Sequence, residues 1–191
     1  MKPKRQQEKT MTVTTAAEVL DFWFSDQMQP YWFAKSDQID AQIGQRFADT
    51  YQAAHDGQLD DWMTDADSAL ALCIVLDQFP RNMFRGSPRS FESNRIALDH
   101  ARKALELGHD QAQDPTRRQF FYLPFMHSED LADQTTSVRL YEDLGNQHSL
   151  HFAREHRDIV ERFGRFPHRN AVLGRDSTPE EAVFLETHKG F

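Results

Sequence analysis

Apolar residues recur along most of this chain at the three-to-four-residue spacing of an amphipathic helix. Ile39, Ile43 and Phe47, for example, share one face of a segment that begins after Ser36 and ends at the Asp-Gly pair at 56 and 57. No segment shows the sustained two-residue alternation that is typical of a half-buried strand. The pattern therefore predicts an all-α fold of roughly eight helices joined by short connections.

Two capping motifs mark helix starts near the ends of the chain. Thr15 and Glu18 have capping-box spacing, which predicts a helix over about residues 15 to 25. Thr178 and Glu181 have the same spacing with a proline between them, which predicts the start of the last helix.

Prolines predict further boundaries. The segment 68–79 is apolar nearly all round, so we expect a central helix that stops at Pro80. Asp114 followed by Pro115 predicts the start of another helix, which is expected to end or kink at Pro124.

The length of 191 residues fits one domain, and we expect a flexible basic tail at residues 1–12 and a single helical domain at residues 13–191. A lone cysteine, Cys73, cannot form an internal disulfide, which favours a cytoplasmic location. No apolar run approaches the roughly 18 residues of a membrane span. The net charge of −8 argues against nucleic acid as a partner. We therefore expect neither a membrane nor a nucleic-acid partner.

One short motif occurs twice in the chain: residues 79–86 and 166–175 both place Phe-Pro and then Arg-Asn after a predicted helix. One interpretation is a structural joint, because proline stops a helix, arginine bonds its last carbonyls and asparagine suits the turn. The other is an anion site, because guanidinium groups bind phosphate and carboxylate. As a joint, the two corners should lie near each other or near residues 126–130. Arg81 or Arg169 should then pair with an acid among residues 129–133, and Asn82 or Asn170 should bond backbone groups.

The segment 122–134 is the second place where chemistry is expected. His127 beside Glu129 and Asp130 fits a general acid–base cluster, because carboxylates raise a histidine pKa. The alternative is an ordinary helix start with Ser128 as the cap and both acids in its first turn. No catalytic residue is assigned. The candidate ligand-binding residues of both regions are Arg81, Asn82, His127, Glu129, Asp130, His168, Arg169 and Asn170.

Other chemistry finds little support in the sequence. His148, His151 and Glu155 share a helix face, but their spacing matches no standard metal motif, so we predict no metal. A Gly-rich phosphate loop, a nucleophile elbow and paired cysteines are all absent from the sequence, so no cofactor is predicted.

Four strings of the sequence together resemble a bacterial family of uncharacterised proteins, a domain of unknown function. The strings are "VLDFWF", "LDQFPRNMFRG", "YLPFMHSEDLADQ" and "RFGRFPHRNAVLGR" followed by "STPEE", and the resemblance runs from about residue 17 to 186. It implies a right-handed superhelical array of helices similar to the tetratricopeptide-repeat superfamily, and it implies no activity. The candidate residues listed above, together with Ser128, lie within the shared strings.

The sequence favours a peptide- or protein-binding module built from stacked helix pairs. The alternative is a small enzyme acting on an anionic substrate that bears phosphate or carboxylate. In that case His127 or His168 performs acid–base work, and Arg81 and Arg169 hold the anion. A structural protein without a small-molecule site is the third hypothesis, and whether the protein is an enzyme stays open at this point.

Overall fold

The structure is a computed structural model that describes residues 11–191, in which every regular element is a helix and no strand occurs. The all-α prediction is confirmed. Most of the predicted basic tail, residues 1–10, lies outside the described residues. The α-helices are α1 (Ala16–Trp23), α2 (Asp37–His55), α3 (Ala66–Asp77), α4 (Phe79–Met83), α5 (Asn94–Glu106), α6 (Pro115–Met126), α7 (Leu131–Leu144), α8 (Gln147–Phe163), α9 (Asn170–Leu173) and α10 (Pro179–Thr187). Short 3-10 helices lie at Gln29–Tyr31, Asp60–Thr64, Pro88–Phe91, Asp110–Ala112 and Pro167–Arg169.

Both predicted capping boxes form. The Glu18 amide donates to Thr15 Oγ1 at 3.2 Å and the Thr15 amide donates to Glu18 Oε2 at 2.8 Å. The same pair of bonds joins Thr178 and Glu181 at 3.2 and 2.7 Å. These side chains satisfy amides that have no partner inside the helix, so α1 and α10 begin where the sequence indicates.

Near two prolines the helices do not end at the proline itself. Helix α3 ends at Asp77, and Pro80 lies in the first turn of the next short helix, α4. Proline is tolerated there because its missing amide would have no partner in a first turn anyway. Pro124 lies inside α6, which continues to Met126, so the helix does not end at this proline. Eight consecutive side chains around it are buried, and this packing holds the last turn in place.

The cap of α7 is also corrected. Asp130, rather than Ser128, is the N-cap, and its Oδ1 accepts the amides of Ala132 at 2.8 Å and Asp133 at 3.2 Å. The Ser128 hydroxyl instead donates to Asp133 Oδ2 at 2.7 Å. Glu129 therefore precedes the helix, and its carboxylate is free to reach another element.

Helix α3 is the centre of the fold, as predicted. Its side chains from Ala69 to Leu76 are fully buried, and it packs against α1, α2, α4, α5 and α6. Helix α5 packs against α6, α6 against α7 and α7 against α8, whereas the superhelical arrangement stays a prediction. Ile159, Val160 and Phe166 form a second, smaller core under the C-terminal segment.

None of the helices described is both long enough and apolar enough to cross a membrane.

Candidate functional site

The site begins with a buried carboxylate at the end of the central helix. Asp77 closes α3, is 1% exposed, and receives the Gln78 side-chain amide on Oδ2 at 2.5 Å. Arg81 Nη2 lies 3.4 Å from Asp77 Oδ1, and Nη1 donates to the Asp77 carbonyl at 2.7 Å. Burial by itself would raise the pKa of Asp77, but the charges of Arg81 and His127 outweigh it and hold that pKa at about 2. The carboxylate is therefore ionised.

His127 is bound to this carboxylate. It caps the C-terminal end of α6, and its Nδ1 lies 2.9 Å from both carboxylate oxygens of Asp77. An ionised carboxylate only accepts hydrogen bonds, so Nδ1 carries the proton and Nε2 carries the lone pair. Burial, followed by the charge of Arg81, lowers the pKa of His127 to about 4. The imidazole is thus neutral near pH 7 and its tautomer is set by Asp77.

His127 lies on the wall of a pocket with a volume of about 410 Å³. Three segments meet there: the start of α5 with the 3-10 helix before it, the corner between α6 and α7, and the turn around α9. The lining residues are Phe91, Asn94, Arg95, Leu98, Arg102, His127, Ser128, Glu129, Asp130, Asp133, Arg169 and Leu173. Within residues 11–191, Nε2 of His127 has no hydrogen-bond partner, so the lone pair of this nitrogen is not engaged by the protein.

Arg169 brings a buried positive charge to the same pocket. Its side chain is 7% exposed, and Nη1 donates to the His127 carbonyl at 3.0 Å and lies 3.9 Å from Glu129 Oε1. The guanidinium stands over the rings of Phe166 at 4.3 Å and Phe91 at 4.9 Å. Its buried Nε has no hydrogen-bond partner in the part of the chain described. Burial, and then the neighbouring Arg81, lowers the pKa of Arg169 to about 9, so this charge is only partly compensated.

The carboxylate nearest to Arg169 is already engaged elsewhere. Glu129 accepts two bonds from Arg175, at 2.7 and 3.1 Å, and one from the Phe166 amide at 2.9 Å. Burial would raise the pKa of Glu129, but the Arg175 hydrogen bonds and the other contacts lower it below its usual value. Glu129 therefore ties residue 166 and Arg175 to the start of α7, and it balances Arg169 only at longer range.

The other basic residues of the second corner form a joint. Arg165 donates to both oxygens of Glu181, at 2.7 and 2.8 Å, and Arg162 donates to Glu180 at 2.8 Å. Asn170 donates to Ser177 Oγ at 3.0 Å. These contacts stay inside the protein, so the corner is mainly structural, and Arg169 is its one arginine that lines the pocket.

Four of the eight candidate residues line the pocket and the other four lie elsewhere. Those that line the pocket are His127, Glu129, Asp130 and Arg169. Arg81 lies behind His127 on Asp77, so the two corners do meet near residues 127–130 as predicted. The expectation that the asparagine side chains bond backbone groups is wrong, because both donate to other side chains. Asn82 donates to Asp40, a residue of α2, at 2.8 Å.

His168 and the helix-face histidines lie apart from this site. His168 stacks near His188 at 6.5 Å, and burial followed by Arg169 lowers the pKa of His168 to about 4. His151 Nε2 lies 3.6 Å from Glu155 Oε2, and both side chains are exposed. Over residues 11–191, no three His, Cys, Asp or Glu side chains are grouped so that they could hold a metal ion.

Sequence reasoning missed Asp77, which orients His127. A signal was present, because Asp77 is the only charged residue in the apolar run from Ala69 to Phe79. A carboxylate buried at the C-terminal end of a helix opposes the helix dipole and needs positive partners.

The family model that matches residues 19–189 is described as a bacterial protein of unknown function, DUF924. The chain belongs to the DUF924 family. A solved structure of a protein of unknown function from Agrobacterium tumefaciens is similar, with a TM-score of 0.87 and 47% identity over 91% of this chain and 97% of that one. The curated proteins compared gave no match. The family resemblance inferred from the four strings is therefore confirmed.

Proposed function

We propose that this protein is a small enzyme in which His127 acts as a general base on a substrate whose carboxylate or phosphate is held by Arg169. The observation that carries the proposal is the contact between Asp77 and His127 Nδ1, beside a pocket that also contains a buried, partly compensated guanidinium. Enzymes commonly arrange a base, a group that orients it and an anion-binding group in one cavity.

Each residue has a separate role in this chemistry. Asp77 holds the imidazole in the tautomer with a free Nε2 and stabilises the imidazolium that forms when Nε2 takes a proton. Arg169 places the substrate anion next to His127, and that negative charge offsets the two arginines that lower the His127 pKa. Substrate binding therefore raises the basicity of His127 at the moment when it is needed.

Ser128 is the hydroxyl closest in sequence, but it is held as a structural group. Its Oγ donates to Asp133 Oδ2 at 2.7 Å and accepts the Asp130 amide at 3.2 Å. A hydroxyl that gives its proton to an aspartate of its own helix start is not activated by His127. In this proposal the attacking group is water: Nε2 of His127 takes a proton from it as its oxygen attacks the ester carbonyl, and the imidazolium returns that proton to the departing alkoxide or phenolate as the ester bond breaks.

A peptide- or protein-binding module is the competing proposal from the sequence. Such a module needs a continuous apolar groove, whereas the large exposed apolar side chains lie on separate elements. Phe33 follows the first 3-10 helix, Leu131 opens α7 and Val183 lies on α10. The pocket beside His127 supports the enzyme better because it brings a base and a cation together.

The test is hydrolysis of two matched esters. The para-nitrophenyl monoester of succinic acid carries a free carboxylate, and para-nitrophenyl butyrate has nearly the same length without it. We expect faster release of nitrophenolate from the charged ester, because only that ester can bind Arg169. His127→Gln should reduce this rate by about 100-fold or more, the usual contribution of a general base.

Arg162→Met serves as the matched control for Arg169→Met. Both changes remove one arginine, but Arg162 pairs with Glu180 in solvent and only Arg169 lines the pocket. Loss of the preference for the charged ester in Arg169→Met alone is the expected result. Equal rates for the two esters, or a rate that His127→Gln leaves unchanged, contradict the proposal.

A further inference from the structure

The charges that line the pocket sum to zero. Three arginines face it, and so do three carboxylates, those of Glu129, Asp130 and Asp133, while His127 is neutral. A dianion such as phosphate would gain from Arg169 but be repelled by Glu129, whose Oε1 lies only 3.9 Å from Arg169 Nη1. A net-neutral lining fits a ligand that carries one charge of each sign.

Most of these charges already have a partner, either within the lining or just outside it. Arg102 donates to Asp133 and, at 3.2 Å, to Asp99. Arg95 Nε donates to Asp99 at 2.9 Å, and Glu129 is bound by Arg175. Such pairs have little left to offer a ligand, because a hydrogen-bonded charge gains less from a new partner than one that is only partly compensated.

Two charged residues of the lining, the cation Arg169 and the anion Asp130, have no hydrogen-bonded partner of opposite charge among residues 11–191. Arg169 is buried and makes one hydrogen bond through its guanidinium, with Nε unpartnered. Asp130 uses Oδ1 for the amides of Ala132 and Asp133, and its Oδ2 has no partner between residues 11 and 191. Both line the same cavity, and the apolar side chains of Phe91 and Leu98 line it with them.

We propose that the pocket binds a zwitterionic amino acid, with the carboxylate on Arg169 and the ammonium group on Asp130. The inference rests on the proposed function and names its substrate class: the hydrolysed compound carries a free carboxylate and a free amino group. The planar carboxylate suits the guanidinium fork, and the ammonium group suits a single exposed carboxylate oxygen. Asp130 supplies selectivity more than affinity, because it is exposed to solvent.

The test measures binding by isothermal titration calorimetry to two series of equal chain length. One series is glycine, β-alanine, γ-aminobutyrate, δ-aminovalerate and ε-aminohexanoate, and the other is the carboxylates from acetate to hexanoate. We expect one amino acid to bind at least about threefold more tightly than its carboxylate, the contribution of an exposed ion pair. The chain length with the largest ratio reports the distance between the two charges.

Asp130→Asn is the decisive variant, because asparagine retains the helix cap and removes only the charge. In this variant each amino acid should bind no more tightly than the carboxylate of the same length, so that the ratio of the two affinities is one, while butyrate binds as it does to the wild type. Asp158→Asn, an exposed aspartate paired with Arg157 away from the pocket, is the control and should leave the ratio unchanged.

The two proposals fail in different ways. Carboxylates that bind through Arg169 with no gain from the amino group, or inorganic phosphate that binds more tightly than any amino acid, contradict the zwitterion and leave the anion site intact. If neither series binds, the zwitterion is wrong, and the base role of His127 is then judged by the ester assay alone.

Discussion

Nδ1 of His127 lies 2.9 Å from both carboxylate oxygens of Asp77, although the two residues are 50 positions apart in the chain. The contact joins the end of α3 to the end of α6. Because Asp77 is buried and ionised, it sets the tautomer of His127 and leaves Nε2 as the proton acceptor. Four expected outcomes follow from this pair and from the charges around it.

Asp77→Asn should lower the free energy of unfolding by about 3 kcal/mol or more, because it removes the negative partner of Arg81 and leaves a charge uncompensated near the core. Urea denaturation followed by circular dichroism measures the change. Glu142→Gln is the control, since Glu142 pairs with Arg154 where both side chains are about half exposed, and its loss should stay below about 1 kcal/mol. Equal effects of the two changes would show that Asp77 is not a compensated buried charge.

Stability should fall as the pH drops from about 6.5 to about 4. The pKa of His127 in the folded chain is about 4, against an ordinary value of 6.5, so the unfolded chain binds more protons across this window and acid favours unfolding. Over this pH range, His127 accounts for a loss of at most about 3 kcal/mol in the free energy of unfolding. Melting temperatures of the wild type and His127→Gln over this pH range measure it. A slope that His127→Gln does not reduce would contradict the assignment.

Arg169→Met and Arg175→Met should differ in stability. Arg169→Met keeps the apolar stem between Phe91 and Phe166 and removes a charge that is poorly compensated, so the free energy of unfolding should change by less than about 1 kcal/mol. Arg175→Met breaks four hydrogen bonds of the arginine side chain, two of them to Glu129, and should lower the free energy of unfolding by about 3 kcal/mol. Chemical denaturation compares them, and a larger loss in Arg169→Met would assign Arg169 to the joint rather than the pocket.

Glu181→Gln should destabilise the attachment of α10. Glu181 is 2% exposed and accepts two bonds from Arg165, and these bonds lower its pKa to about 2. Removing the charge leaves Arg165 without its partner, at an expected loss of about 2 kcal/mol. Its neighbour Glu180 pairs with Arg162 in solvent, so Glu180→Gln should change the melting temperature little. A similar shift for both variants would contradict the structural role of Glu181.

Local signals in the sequence were sufficient for much of the fold. Helical periodicity and the caps at Thr15, Ser36 and Thr178 predicted helices that the structure contains, because these signals depend on residues within one or two turns. A helix end at Pro124, one of the two outcomes predicted there, was wrong for the same reason. Local rules count the lost hydrogen bond, whereas burial of the last turn of α6 depends on helices distant in sequence.

The candidate site was only partly accessible from the sequence. Four candidate residues line the pocket, including His127 and Arg169, because unusual clusters of histidine, arginine and acid stand out along the chain. The sequence did not indicate which arginine would lack a hydrogen-bonded carboxylate partner. Arg165 and Arg175 look equivalent to Arg169 in the sequence, but in the structure they hydrogen-bond Glu181 and Glu129, whereas Arg169 hydrogen-bonds the His127 carbonyl and no carboxylate of the described residues.

The sequence by itself determined that the chain is helical, where most helices begin, that segment 68–79 lies at the centre and which family the chain belongs to. Only the tertiary structure decided that Asp77 binds His127 and that Arg169 extends into their pocket. Helix formation and capping depend on neighbouring residues, so they can be derived from the sequence. The partner of a buried charge is chosen by how whole helices pack, and that choice brings together residues that no local pattern connects.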